Sequence, residues 1–337
     1  MSDSLTPGRR RWFALLATTL TVGGGLGIGE VYVRRTRPMP RAQIIRGAAE
    51  TEQPRHDLTF IDGQPIWHEL GTEERRNRAC TGEGTYDVLM LGSSIFYGSG
   101  YLHDQVMSRY LQDALDAGGD GPWCVLNYGQ PAMVSQSKAA IGSVAIPEVS
   151  PELVLWEMWH NDPGGFVMLG TDAYNLTGLV TDEAGYPAFL PMPGALRRSL
   201  FHGSRLFEYA SLALTPTRED AYEHKWNQLR EETLPAVRAL TEAHGGEFVL
   251  VFTPFLDVPF AQSAKNHVDK YRGYQWMAGW ADEAGVRRFD LAEALVDESV
   301  EALRHDTCCH YSEAGHRRVG QQLAEWVRQV RAEQERR

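Results

Sequence analysis

The sequence predicts an α/β fold: a mostly parallel five-stranded sheet, covered by helices on both faces, behind an N-terminal membrane helix. Three observations predict it. Five short apolar runs recur along the chain, longer segments with helical spacing separate them, and an uncharged stretch near the N-terminus is flanked by arginines. Strands alternating with helices imply parallel pairing, because each return to the sheet passes over one of its faces.

The elements follow in chain order. Trp12 to Gly29 carries no charge, with Arg9–Arg11 before it and Arg34, Arg35 and Arg37 after it. As a helix it would be ~27 Å long, close to the ~30 Å of a bilayer core. The preferred reading is a short cytoplasmic tail, one span, and the remainder of the chain outside the cell membrane. A cleaved export signal is the rival, and Arg10-Arg11-Trp12-Phe13 resembles a twin-arginine signal. No clean A-x-A site follows the run. That rival makes the protein secreted or periplasmic, so both readings put the main domain outside the cytoplasm. Residues 34–85 are polar and read as a linker and strap, with a hairpin near 61–70.

The five strand candidates are 86–92, 123–129, 152–158, 247–253 and 286–291. After the first, Val106, Met107, Tyr110, Leu111 and Leu115 fall on one helical face that stops at glycines. Residues 219–246 form another helical stretch, with Pro235 as a kink or boundary. The last helix opens after His310, and the tail 331–337 is expected to fray. The connection 162–246 is too long for a simple crossover and is expected to hold a cap, including a hairpin at 178–191. The predicted division is therefore an anchor over 1–33, a strap over 34–85, a domain over 86–330 with that insertion, and a tail.

A chain of 337 residues buries a core without staples. Its net charge is −11, yet residues 1–46 hold eight arginines against Asp3 and Glu30. A globular part this acidic argues against nucleic-acid binding. The four cysteines, Cys80, Cys124, Cys308 and Cys309, show no zinc spacing. Two readings stay open for them, a bridge from Cys80 to Cys308 or Cys309, and free buried thiols.

In parallel α/β sheets ligands sit beyond the carboxyl ends of the strands. The unusual residues of this chain cluster there. Gly92-Ser93-Ser94 follows the first strand, Asn127-Tyr128-Gly129 the second, and Trp159-His160-Asn161-Asp162 the third. Asp306, His310 and His316 precede the last helix. A hydroxyl, a glycine amide, a side-chain amide and an imidazole are the parts needed for acyl transfer.

In these blocks the chain resembles the SGNH, or GDSL-type, hydrolases. Gly92-Ser93-Ser94-Ile95-Phe96-Tyr97-Gly98 is similar to their Gly-Asp-Ser-x-x-x-Gly, with Ser93 in the Asp place. Gly129 matches the second block. Trp159-His160-Asn161-Asp162 matches Gly-x-Asn-Asp, with Trp in place of Gly. Asp306 and His310 match Asp-x-x-His with one extra residue between them. The layout resembles the membrane-anchored branch. The resemblance implies a flavodoxin-like three-layer sandwich and a catalytic set of Ser94 as nucleophile, His310 as base and Asp306 as its orienting partner. It also implies an oxyanion hole from the amides of Ser94 and Gly129 and the side chain of Asn161.

Taken singly, these residues are ordinary. Ser93 reads as a helix N-cap, His316 as packed on the last helix, and Trp156 and Trp159 as core. The function expected is a serine-dependent esterase acting outside the cytoplasm on carboxylic esters, such as acylated envelope glycans. Two alternatives stand beside it: an O-acyltransferase using the same acyl-enzyme, and a non-catalytic relative that binds a glycan or a partner. The sheet lacks a nucleotide-binding glycine pattern at its first turn. No metal or cofactor is implied.

Overall fold

The computed structural model describes residues 23–36, 56–61, 64–69, 76–77 and 80–337, except 132, 160–161, 163–165, 170–171, 176–178, 181, 183–185, 270 and 307–308. A helix, α1, covers residues 23–36. It crosses the expected boundary between anchor and linker at residue 33 without a break. Most of the uncharged run precedes it and lies outside the described residues. Among the described residues no helix is long and apolar enough to cross a membrane. Strands β1 (His56–Ile61) and β2 (Gln64–Glu69) pair antiparallel, so the hairpin starts earlier than the expected 61–70.

The central sheet is built from β3 (Tyr86–Leu91), β4 (Trp123–Asn127), β5 (Leu153–Met158), β8 (Glu247–Phe252) and β9 (Arg287–Asp290). Its order is β4-β3-β5-β8-β9, and every pairing is parallel. The observed strands lie within two residues of the expected runs at each end. Period-two alternation splits their side chains into two cores. Val88, Met90, Leu153, Leu155, Val249 and Val251 face one; Leu89, Leu91, Val154, Trp156, Leu250 and Phe252 face the other. Both faces are therefore apolar, which is why these strands read as continuous hydrophobic runs.

Helices cover the sheet as expected. After the short α2 (Ser94–Tyr97) comes α3 (Met107–Gly118), which buries Met107, Leu111 and Leu115. Next is α4 (Ser135–Val149). The connection after β5 holds an antiparallel pair that the sequence did not suggest, β6 (Phe166–Leu169) with β7 (Asp172–Asn175). The expected hairpin at 178–191 is present as backbone pairing, with Asp182 N donating to Tyr186 O and Ala188 N to Val180 O, both at 2.9 Å. Then come α5 (Gly194–Gly203), α6 (Arg205–Leu214), α7 (Glu219–Gln228) and α8 (Leu234–Ala243). Between α7 and α8 a π-turn spans Leu229–Thr233. Pro235 follows it at the head of α8, where its missing N–H costs nothing. Pro235 thus stands at the boundary where α8 begins, and α8 leads into β8. Leu234 and Val237 of α8 are buried in the core on one face of the sheet.

The remaining helices are α9 (Phe260–Asp269), α10 (Arg272–Ala284), α11 (Leu291–Ala294), α12 (Val300–Leu303) and α13 (Glu313–Gln334). The last helix does not fray at 331. Tyr86 Oη donates to Gln334 at 2.5 Å, and Arg287 pairs with Glu333 at 2.6 Å. Cys80 is bonded to Cys124, and not to Cys308 or Cys309. The bridge fastens Cys80, in the strap, to β4, an edge strand of the sheet.

Candidate active site

The site forms where β3, β4 and β5 end. β3 is wholly buried and stops at Gly92. A Cβ at Gly92 would collide with Glu157 Oε2 and with Phe96, so only glycine lets the chain turn here. Ser93 is the N-cap of α2, with Oγ accepting from Ile95 N at 3.3 Å. Ser94 is the first helical residue. Its amide has no acceptor among the described residues, as the opening turn of a helix leaves such groups free.

The structure brings Ser94, His310 and Asp306 into one hydrogen-bonded chain. Ser94 Oγ lies 2.9 Å from His310 Nε2, and His310 Nδ1 lies 2.5 Å from Asp306 Oδ2. The extra residue between Asp306 and His310 is absorbed by a turn folded around the carboxylate. Asp306 Oδ1 accepts from Cys309 N at 2.9 Å and His310 N at 3.2 Å, leaving Oδ2 for the ring. His305 N donates to His310 O at 2.8 Å, and Arg304 bridges Tyr311, so the loop is closed at its base. Burial raises the Asp306 pKa, but the bonds from His310 and the two amides outweigh it and hold it at about 2. An ionised carboxylate only accepts. The Nδ1 atom of His310 therefore carries the proton, and Nε2 turns its lone pair to Ser94. The ring is a quarter exposed, so the chain opens to solvent on one side.

The loop after β4 is zipped onto the nucleophile turn. Tyr128 N donates to Met90 O at 2.9 Å and Gln130 N to Gly92 O at 3.0 Å. This sets Gly129 against α2, where a Cβ would lie 2.7 Å from Tyr97 N. Its amide, expected in the oxyanion hole, is already engaged in this structure. Gly129 N donates to Asn127 Oδ1 at 2.9 Å, so it is not a free donor. Asn127 is fully buried, and its Nδ2 also donates to Phe96 O at 2.7 Å and Ser108 Oγ at 3.0 Å. The glycine thus positions the turn. Asn161 lies outside the described residues. Its neighbours Trp159 and Asp162 close a turn, with Asp162 N to Trp159 O at 2.9 Å and Trp159 N to Asp162 Oδ2 at 2.8 Å.

Beneath the turn lies a charged network that the sequence reading missed. Glu157, on β5, is fully buried. Its carboxyl takes Ser93 N at 2.8 Å, Ser93 Oγ at 2.5 Å and Phe96 N at 3.2 Å. Lys138 Nζ, on α4 and equally buried, donates to Glu157 O at 2.8 Å and to both oxygens of Asp162 at 2.9 and 2.8 Å. The network joins the turn holding Ser94 to the turn at Asp162. Burial pushes the Glu157 pKa up, against the lowering pull of Lys138 and Ser93. A signal was available, since Glu157 is the one charge inside β5. Trp156 and Trp159 are core, as expected, and Trp159 packs on Phe255 with centroids 4.8 Å apart. His316 is buried beside Tyr101 and Tyr311.

No family model matches the chain, and no curated protein matches it. Solved structures similar to it include a psychrotrophic esterase, EstA, from Pseudoalteromonas sp., at 12% identity and TM-score 0.43 over 73% of this chain and 98% of that one. A putative lipolytic protein of the G-D-S-L family from Desulfitobacterium hafniense shares 13% identity at TM-score 0.41, over 71% and 98%. A catalytic mutant of Axe2, an acetylxylan esterase from Geobacillus stearothermophilus, shares 15% at TM-score 0.44, over 73% and 95%.

Proposed function

We propose that this chain is a serine-dependent ester hydrolase with Ser94 as nucleophile, His310 as general base and acid, and Asp306 as the partner that fixes the imidazole. The observation that carries this is the bonded chain from Ser94 Oγ through both His310 nitrogens to Asp306. Ser94 Oγ attacks the ester carbonyl while Nε2 takes its proton, giving a tetrahedral oxyanion. Collapse breaks the bond to the alcohol, which leaves with the proton from Nε2. Water then repeats the sequence on the acyl-enzyme and releases the acid. The imidazolium formed in each step lies against the Asp306 carboxylate.

The oxyanion faces the unengaged Ser94 amide. The side chain of Asn161 is assigned as the second donor, and the engaged Gly129 amide is left out. One donor of this kind is worth ~2.7–4 kcal/mol in the transition state. No metal or cofactor enters these steps.

The site is assigned to the outside of the cytoplasm, on a chain held to the membrane by its uncharged N-terminal run. The substrate class assigned is acyl esters on envelope polysaccharides. The experiment is turnover of short p-nitrophenyl esters and release of acid from an acetylated polysaccharide, with Ser94→Ala alongside. Turnover lost only in Ser94→Ala supports the reading. Acyl transfer to an added glycan in place of hydrolysis would make the same acyl-enzyme an O-acyltransferase. A folded protein with no turnover and no labelling by a fluorophosphonate refutes catalysis.

A further inference from the structure

Ten large apolar side chains are exposed among the described residues, and seven of them lie on two pieces of chain. Leu26, Ile28, Val31 and Tyr32 are on α1, between 50% and 74% exposed. Leu190, Leu196 and Leu214 are on α5, α6 or the segment leading into them. The two pieces are clasped together. Glu30 sits at the N-terminus of α6, where its carboxylate accepts from Arg205 N at 3.0 Å, Leu206 N at 2.8 Å and Ser204 Oγ at 2.8 Å. Arg34 pairs with Glu30 at 2.6 Å and donates to Gly203 O, at the end of α5, at 3.3 Å. Gly29 packs on Leu206, and Val33 is buried. Burial raises the Glu30 pKa, yet the bonds from Leu206, Arg205, Ser204 and Arg34 bring it down to about 2.

Glu30 is the first charge after the uncharged run 12–29. The clasp therefore fixes the α5–α6 junction at the level where that run ends, with no linker between them. Each of the two helices has ten residues, or ~15 Å of length, so the whole pair stays close to that level. Arg34, Arg35 and Arg198 are exposed in the same region of an otherwise acidic protein. Apolar side chains beside arginines, at the end of an uncharged run, match the chemistry of a lipid interface with anionic headgroups.

We propose that the α5–α6 pair is a second bilayer contact, peripheral and docked onto the N-terminal anchor by Glu30. This rests on the membrane-anchored reading above. Leu196 and Leu214 enter the headgroup boundary, and Arg35 and Arg198 meet lipid phosphates. The chain from Asp162, beside the site, reaches this pair through β6, β7 and the 178–191 hairpin.

The test uses the full chain in vesicles of phosphatidylglycerol and phosphatidylethanolamine doped with a diazirine phospholipid, with cross-linked peptides mapped by mass spectrometry. Labelling in 190–214 as well as in the N-terminal segment supports the proposal. Glu30→Ala should cut labelling of 190–214 about fivefold, the weight of one helix cap, while N-terminal labelling and turnover of a soluble ester persist. Labelling confined to the N-terminal segment overturns the proposal and leaves the anchor standing. Cross-links joining two copies through 190–214 also overturn it, in favour of a dimer face. A chain that does not float with the vesicles overturns both the proposal and the anchored reading.

Discussion

Replacing Asp306 by asparagine should damage catalysis more than replacing it by alanine. The carboxylate serves two kinds of donor at once, the Cys309 and His310 amides at Oδ1 and the His310 ring at Oδ2. Asparagine has one acceptor oxygen. With that oxygen on the two amides, its NH₂ group faces Nδ1, and the ring must turn to the tautomer with the proton on Nε2. Ser94 Oγ then meets a donor where it needs a base. A serine hydrolase forced into the wrong tautomer by this exchange loses ~10⁴-fold in kcat. The opposite flip would set the NH₂ group against two amide donors, which is worse. Alanine removes the constraint and lets water in, because the Asp306 side chain is 38% exposed. Its cost is one charge-assisted bond, ~1.5–3 kcal/mol, or roughly 10- to 150-fold. Solvent access puts the expected loss at the lower end. The assay is kcat on p-nitrophenyl acetate, with fluorophosphonate labelling rate as a second reading and thermal melting as the control for folding. Equal losses in the two variants, or kcat within about threefold of the parent in Asp306→Asn, would falsify the orienting role.

Three further outcomes are expected. Ser94→Ala should fall to background, a loss beyond ~10³-fold, whereas Ser93→Ala should keep turnover and lose ~1 kcal/mol or more of stability with its cap; calorimetry with the ester assay separates the two serines. Glu157 has a raised pKa, so its folded form holds the proton more tightly than the unfolded chain. Its contribution is therefore full at low pH and lost as pH rises through the folded value, and Glu157→Gln should flatten the fall in Tm with rising pH, whereas an unchanged pH profile would mean that Glu157 does not titrate across it. Cys80 and Cys124 close a loop of 44 residues, which corresponds to ~4 kcal/mol in the chain-entropy model, so the Cys80→Ser, Cys124→Ser double variant should lose up to that amount in urea melts without losing the ester activity of its folded fraction.

The central sheet was legible because both of its faces are buried. Continuous runs such as those of β3 and β5 have few other places to go in a folded chain, and their order along the sequence dictated parallel pairing. The insertion was legible only as excess length. The β6–β7 pair reads as "FVMLGTDAYN", four residues per strand and no alternation to mark a buried face. The helix 219–243 was visible, but its role was not. Which part of a long helical stretch lies on the sheet depends on Leu234 and Val237 reaching the core, and periodicity alone does not select them. The bridge from Cys80 to Cys124 joins a strap to an edge strand, a pairing that depends on Asn77 and Cys80 lying beside Cys124 and Val125 of β4.

The candidate site was legible where chemistry depends on residue type and was not where it depends on who already holds a hydrogen bond. Ser94 and His310 stand at a strand end and before a helix, and topology alone brings such places together. The spacing from Asp306 to His310 is a different matter. Counted along the chain it is one residue too long, and only the wrapping of the turn around Oδ1 restores the reach of Oδ2. Gly129 shows the converse, since its position was legible but its amide is claimed by Asn127 two residues earlier. Glu157 was hidden for a third reason. A carboxyl on a buried strand looks like an error in the pattern until the turn above it supplies three donors. The serine at position 93 and the acid at 157 then become one unit, in which a hydroxyl small enough to cap α2 leaves room for a carboxyl from the neighbouring strand. On this reasoning the two positions must be exchanged together. Ser93→Asp alone would set a second carboxyl against Glu157 with no new donor and should cost several kcal/mol. Ser93→Asp with Glu157→Gln should recover a large part of that loss, and a double variant no more stable than the single one would show that the two do not act as a unit.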